Sequence, residues 1–115
     1  MKTQTPPRPR RVVGRHRAVR LVIFALEEVY QVSEQEIVGP GRPAGAVWAR
    51  QVGMTALMDQ FGCTTSFAAE AFGRIDHGTA LHARRAVKIR AAANHYFRAK
   101  IRQFLARLAE LRRDP

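Results

Sequence analysis

A chain of 115 residues can build one domain around one modest core, and its 46% hydrophobic content excludes a disordered polymer. Lys and Arg number 20 against 9 Asp and Glu, a formal net charge of +11, which points to a polyanionic partner, either nucleic acid or an acidic membrane surface. One cysteine, Cys63, excludes an internal disulfide, and the longest wholly apolar run, residues 21–26, is too short to cross a bilayer.

The charge is uneven. Residues 1–20 carry seven basic side chains and no acid, residues 21–83 carry three basic and seven acidic, and residues 84–115 carry ten basic and two acidic. Two basic ends therefore flank a slightly acidic centre. The ends supply sequence-independent attraction to phosphate, so specific reading falls to a few residues between them.

In chain order, residues 1–11 read as a flexible basic arm, because Pro6, Pro7 and Pro9 prevent a helix and Arg8, Arg10 and Arg11 repel one another. Residues 12–32 read as the first helix, with Val19, Val22, Ile23, Leu26, Val29 and Tyr30 on one apolar stripe. Ser33 and Glu36 have the spacing of a capping box, which starts a short helix ending near Val38. The two prolines and three glycines of residues 39–45 forbid regular structure, and Arg42 is the lone charge in that loop. It is either a solvated side chain or a probe held out by a stiff loop.

Residues 46–61 give the next helix, stopped by Gly62. Thr64 or Thr65 caps a short helix through Phe67, Ala68, Ala71 and Phe72; Gly73 then makes a tight turn, and Asp76 is placed to cap the helix after it. That helix is expected to continue to about Arg112. In its second half Phe97, Ile101, Phe104, Leu108 and Leu111 form a heptad-like seam. The seam either packs back on its own core, which is the preferred reading, or pairs two copies as a homodimer.

Residues 64–85 have the layout of a helix-turn-helix: a short helix with small residues (Ala68, Ala69, Ala71), a glycine turn and a second helix. The first turn of that second helix offers Asp76, His77, Gly78 and Thr79, with His82 further along, as short polar groups suited to a major groove. No strand alternation or internal repeat is visible. The expected fold is all-α: a single helical domain with a helix-turn-helix and a long C-terminal helix.

The segment Ala71-Phe72-Gly73-Arg74-Ile75-Asp76-His77-Gly78-Thr79-Ala80-Leu81-His82-Ala83 resembles the signature of the C-terminal DNA-binding domain of the bacterial chromosomal replication initiator DnaA. That family reads Ala-Phe-Gly-Gly-Arg-Asp-His-Thr-Thr-Val-x-His-Ala at the same spacing. The similarity takes in Tyr30, Glu36-Ile37-Val38, the loop with Arg42, and Arg50-Gln51-x-x-Met54, about residues 20–90. It divides the chain into the arm at 1–11, a DNA-binding domain at 12–90 and a basic helical extension at 91–115.

The resemblance implies roles. Arg42 matches the family's minor-groove arginine. Asp76 and His77 match its base-contacting pair, and Arg50, Gln51, Thr79 and His82 match its contacts to the DNA backbone. The chemistry agrees: Asp76 can cap its helix or accept from a cytosine amino group, His77 can donate to a purine, and Thr79 and His82 can donate to phosphate. A core position under the last helix is the alternative for His82. Four departures stand out. Ile75 replaces an arginine, Gly78 a threonine, Met58 a lysine and Ser66 a proline. They weaken or redirect sequence reading more than they affect duplex binding.

No Gly-x-x-x-x-Gly-Lys-Ser/Thr phosphate loop is present, so no ATP hydrolysis of the initiator's kind is expected. No cofactor or metal site is expected either, since His77 and His82 stand five apart, poorly placed to share an ion, and no carboxylate cluster accompanies them. The sequence thus reads as a double-stranded-DNA-binding protein in the control of replication or transcription, or serving a mobile element, cytoplasmic and nucleoid-associated, without a membrane role and not an enzyme. The alternative is a basic module for RNA or an acidic protein.

Overall fold

The computed structural model describes residues 13–41 and 44–113. The expected arm over residues 1–11 and Arg42 lie outside the described residues. Six helices follow one another: α1 Arg15–Tyr30, α2 Glu34–Val38, α3 Ala44–Phe61, α4 Thr65–Ala71, α5 Gly78–Ala93 and α6 His95–Arg113. No strand occurs among the described residues, so the fold is all-α.

The helix α1 buries Val22, Ile23 and Leu26 of its expected stripe together with Ala18 and Ala25, leaves Val19, Val29 and Tyr30 half-buried, and ends at Gln31 in a left-handed turn with φ 55°. The expected capping box is formed. Ser33 Oγ accepts from the Glu36 amide at 3.1 Å, and Glu36 Oε1 accepts from the Ser33 amide at 2.9 Å. Helix α3 lies at the centre, buried on most sides through Ala46, Ala49, Val52, Met54, Ala56, Leu57 and Met58, and it contacts α1, α2, α4 and α5. Close approach there needs Gly53. A Cβ at this position would stand 2.5 Å from Phe72 Cζ and 2.8 Å from Leu26 Cδ1.

One expectation is corrected. The helix expected from residue 76 to about 112 is two helices, broken at Asn94, whose backbone is extended (φ −138°, ψ 109°). Asn94 ends α5 by donating its amide to the Arg90 carbonyl and starts α6 by accepting the Phe97 amide on Oδ1 at 3.0 Å. The break lets α6 fold back across α1 and α5.

The seam of α6 takes its preferred reading. Phe97, Phe104 and Leu108 are buried in the chain's own core, and Ile101 and Leu111 pack partly buried against it. Arg107 Nε meets Glu28 Oε1 at 2.5 Å, tying α6 to α1, and Arg112 donates to the Gln60 carbonyl at 3.0 Å while lying over the Phe61 ring. No helix among the described residues is long and apolar enough to cross a membrane.

Two polar groups in this core stand out. Burial pushes the half-buried Cys63 thiol up, against the downward pull of Arg15. The Tyr30 hydroxyl is buried with no hydrogen-bond partner among the described residues, and burial pushes its ionisation above the usual phenol range. An unbonded buried hydroxyl costs about 1–3 kcal/mol, so Tyr30→Phe should raise stability by about 1 kcal/mol in urea unfolding at neutral pH.

The same substitution should alter the alkaline limb. Above pH about 10 the unfolded chain releases this proton while the folded chain keeps it. Wild-type stability is therefore unaffected by this group below the unfolded value and falls as pH rises towards the folded one. Tyr30→Phe should remove that component of the pH dependence.

Candidate nucleic-acid interface

The helix-turn-helix is built from α4, the turn at residues 72–77, and α5. Thr64, not Thr65, caps α4, its Oγ1 accepting the Phe67 amide at 3.1 Å. Ala68 and Ala69 of α4 and Ala80 and Ala83 of α5 are fully buried, the two helices pack on each other, and the buried Phe72 ring stands against Gly53 of α3. The turn closes with two bonds, Gly73 amide to Glu70 carbonyl and Arg74 amide to Ala69 carbonyl, each 2.9 Å. This is the Schellman arrangement, and it needs the left-handed φ of +73° found at Gly73. A Cβ at Gly73 would also stand 2.5 Å from the Val38 carbonyl oxygen, so the turn sits directly against the end of α2.

At the head of α5, Asp76 Oδ1 accepts the Gly78 amide at 2.9 Å, and the Asp76 carbonyl accepts from Thr79 at 2.9 Å. The helix begins one residue later than a simple Asp76 cap implies, with His77 at the cap position. The aspartate side chain nevertheless fixes the first amide, and its other oxygen makes no bond among the described residues. Asp76 and His77 are both exposed, Thr79 is half-buried and His82 is exposed. The alternative of His82 packing beneath α6 is thereby removed.

Two arginines fasten the preceding loop to this turn. Arg50 is only 5% exposed. Its Nε donates to the Ile37 carbonyl at 2.5 Å, and its Nη2 reaches the carbonyls of Glu36 at 3.0 Å and of Gly39 and Gly41 at 3.2 Å. The expectation that Arg50 faces a phosphate is thus corrected in its geometry: the guanidinium is withdrawn into the protein and braces residues 36–41. Arg74, to which sequence reasoning gave no role, donates to the same Gly39 carbonyl at 3.1 Å. A cleft of about 320 Å³ lined by Pro40, Val47, Arg50 and Arg74 lies beside this junction. Gln51 is half-buried with its Oε1 shielded from solvent, and the neighbouring Thr55 hydroxyl donates to its carbonyl at 2.8 Å.

The basic N-terminal side also reaches the motif. The Arg15 guanidinium lies 4.9 Å from the centre of the Phe67 ring on α4, and His16 meets that ring edge-on. Arg85 and Lys88 are exposed further along α5, whereas Arg84 is held by Asp59 of α3 at 2.9 Å. No local pattern signals the Arg15–Phe67 contact, since the partners are far apart in sequence. The structure therefore places Asp76 and His77 at the head of α5 and Thr79 and His82 within it, with the braced loop against the turn that leads into it.

The family model described as bacterial dnaA protein helix-turn-helix matches residues 19–87, from within α1 to within α5. A chromosomal replication initiator protein DnaA of Thermomicrobium roseum is 33% identical over 108 residues, covering 89% of this chain and 23% of that protein. Another, from Bifidobacterium animalis subsp. lactis, is 32% identical over 62 residues, covering 54% of this chain and 11% of that protein. The chain spans less than a quarter of the length of these relatives. With its six-helix fold and this match across most of its length, the chain belongs to the bacterial DnaA helix-turn-helix family.

Proposed function

We propose that the chain binds double-stranded DNA by laying the N-terminal end of α5 in the major groove. Asp76 and His77 contact bases there, while Thr79, His82 and Gln51 contact the backbone. Arg42, matched to the family's minor-groove arginine, is assigned a minor-groove contact by that match alone, and Arg50 acts on DNA indirectly, by holding residues 36–41. The observation that carries this reading is the exposed Asp76–His77 pair, fixed at a capped helix start inside the family-matched segment. The curated relatives are named as chromosomal replication initiators. On that basis the role is in replication initiation or its control, on nucleoid DNA in the cytoplasm, through DNA contact and not through ATP hydrolysis.

The test is a competition read by fluorescence anisotropy. A labelled duplex bound to the chain is challenged with unlabelled duplex DNA or with hairpin RNA of the same length. Duplex DNA should displace the label at lower concentration, and affinity should fall linearly in log–log form as salt rises, as phosphates exchange counterions for Arg and Lys. Equal or better displacement by RNA would favour the alternative partner and sink the proposal.

A further inference from the structure

Ile75 is 98% exposed, more than any other large hydrophobic side chain among the described residues. Folding gains nothing from an isoleucine left wholly in water, because burial of apolar surface is the main driving force. Nor does Ile75 ride on a loose segment. On its N-terminal side the Arg74 amide is bonded to Ala69, and the Arg74 guanidinium is bonded to the Gly39 carbonyl. On its C-terminal side Asp76 holds the Gly78 amide and its carbonyl accepts from Thr79. The backbone is pinned at both neighbours, and the side chain is held out beside exposed Asp76 and His77.

The residue type suits this placement. A β-branched side chain has few rotamers, so little conformational freedom is lost when a surface closes on it. It cannot hydrogen-bond a base edge or pair with a phosphate. The apolar feature that base pairs offer in the major groove is the C5-methyl group of thymine. We infer that Ile75 is a specificity-determining residue that packs against a thymine methyl, adjoining the base pairs read by Asp76 and His77. In this account the isoleucine changes what is read at the head of α5, where an arginine would seek a polar or anionic partner. The inference rests on the proposed placement of α5 in the major groove.

The experiment uses the full chain and the duplex most enriched from a random pool. Each thymine in turn is replaced by deoxyuridine, which removes the methyl and keeps the pairing edge. Affinities are measured for the wild type and for Ile75→Ala, and circular dichroism checks that the variant is folded. The wild type should lose about fourfold in affinity at one thymine, the worth of one buried methyl-sized group. Ile75→Ala should bind the thymine and uracil forms of that site equally, while keeping the base preferences set by Asp76 and His77. Uniform tolerance of uracil in the wild type, or the same sensitivity in Ile75→Ala, would overturn the role of Ile75 and leave duplex binding standing. Failure to bind or enrich any duplex would overturn the major-groove placement and this inference together.

Discussion

Arg50→Met should lower the unfolding free energy by about 3 kcal/mol, the largest loss expected from a single polar side chain in this fold. The arginine is buried, and its fork satisfies backbone carbonyls at the end of α2 and in the following loop. Hydrogen bonds from a charged donor contribute about 1.5–3 kcal/mol each, but Gly41 is exposed and can be rehydrated, so the separate terms do not simply add. Methionine keeps the length and apolar stem and removes every donor. Arg50→Lys should recover little, since an ammonium cannot reproduce donation from Nε and Nη2 at once. Thermal and urea unfolding would measure both, and full recovery by lysine would contradict the bracing role. The folded fraction of Arg50→Met should also bind duplex DNA more weakly, because residues 42–43 follow directly on the loop that Arg50 holds.

His77→Ala should have the largest effect on binding. A base-directed donor is worth about 1–3 kcal/mol of discrimination, so affinity for the preferred duplex should fall roughly tenfold to a hundredfold. Affinity for a random duplex should barely change, because that binding comes from phosphate contacts made by the basic side chains. The side chain is exposed and makes no cap bond, so its loss should leave stability within about 0.5 kcal/mol of the wild type. Anisotropy titrations on the two duplexes separate the cases, and equal losses on both would assign His77 to general attraction.

Much of the fold was legible wherever a local rule fixed the geometry. The Ser33–Glu36 spacing defined a capping box, Gly73 marked the turn of the helix-turn-helix, and the apolar spacing of α1 named Val22, Ile23 and Leu26 among the residues it buries. The break at Asn94 was hidden because apolar periodicity runs through it and neither Gly nor Pro marks it. Asparagine is nonetheless a strong cap, and Asn94 standing three residues before Phe97 was a readable signal. The α6 seam was seen correctly as apolar, but a heptad pattern cannot say which surface it meets; the fold-back at Asn94 turns it onto α1.

The site was legible in composition and less so in geometry. Asp76, His77 and His82 occupy the exposed positions that the motif implies. Arg50 took its expected role from the match to the family, and its actual partners, backbone carbonyls of another segment, leave no trace in side-chain pattern. Arg74 was overlooked for the same reason. Met58, where the family carries a lysine, is 6% exposed in the core, so its apolar character suits its position.

Base reading by the head of α5 is decided by selection from a random duplex pool. The wild-type chain should enrich one short motif over successive rounds, and His77→Ala, folded and still able to bind DNA, should lose preference at one or two positions within it. Recovery of unenriched sequence by the wild type, or of an identical motif by His77→Ala, would contradict it.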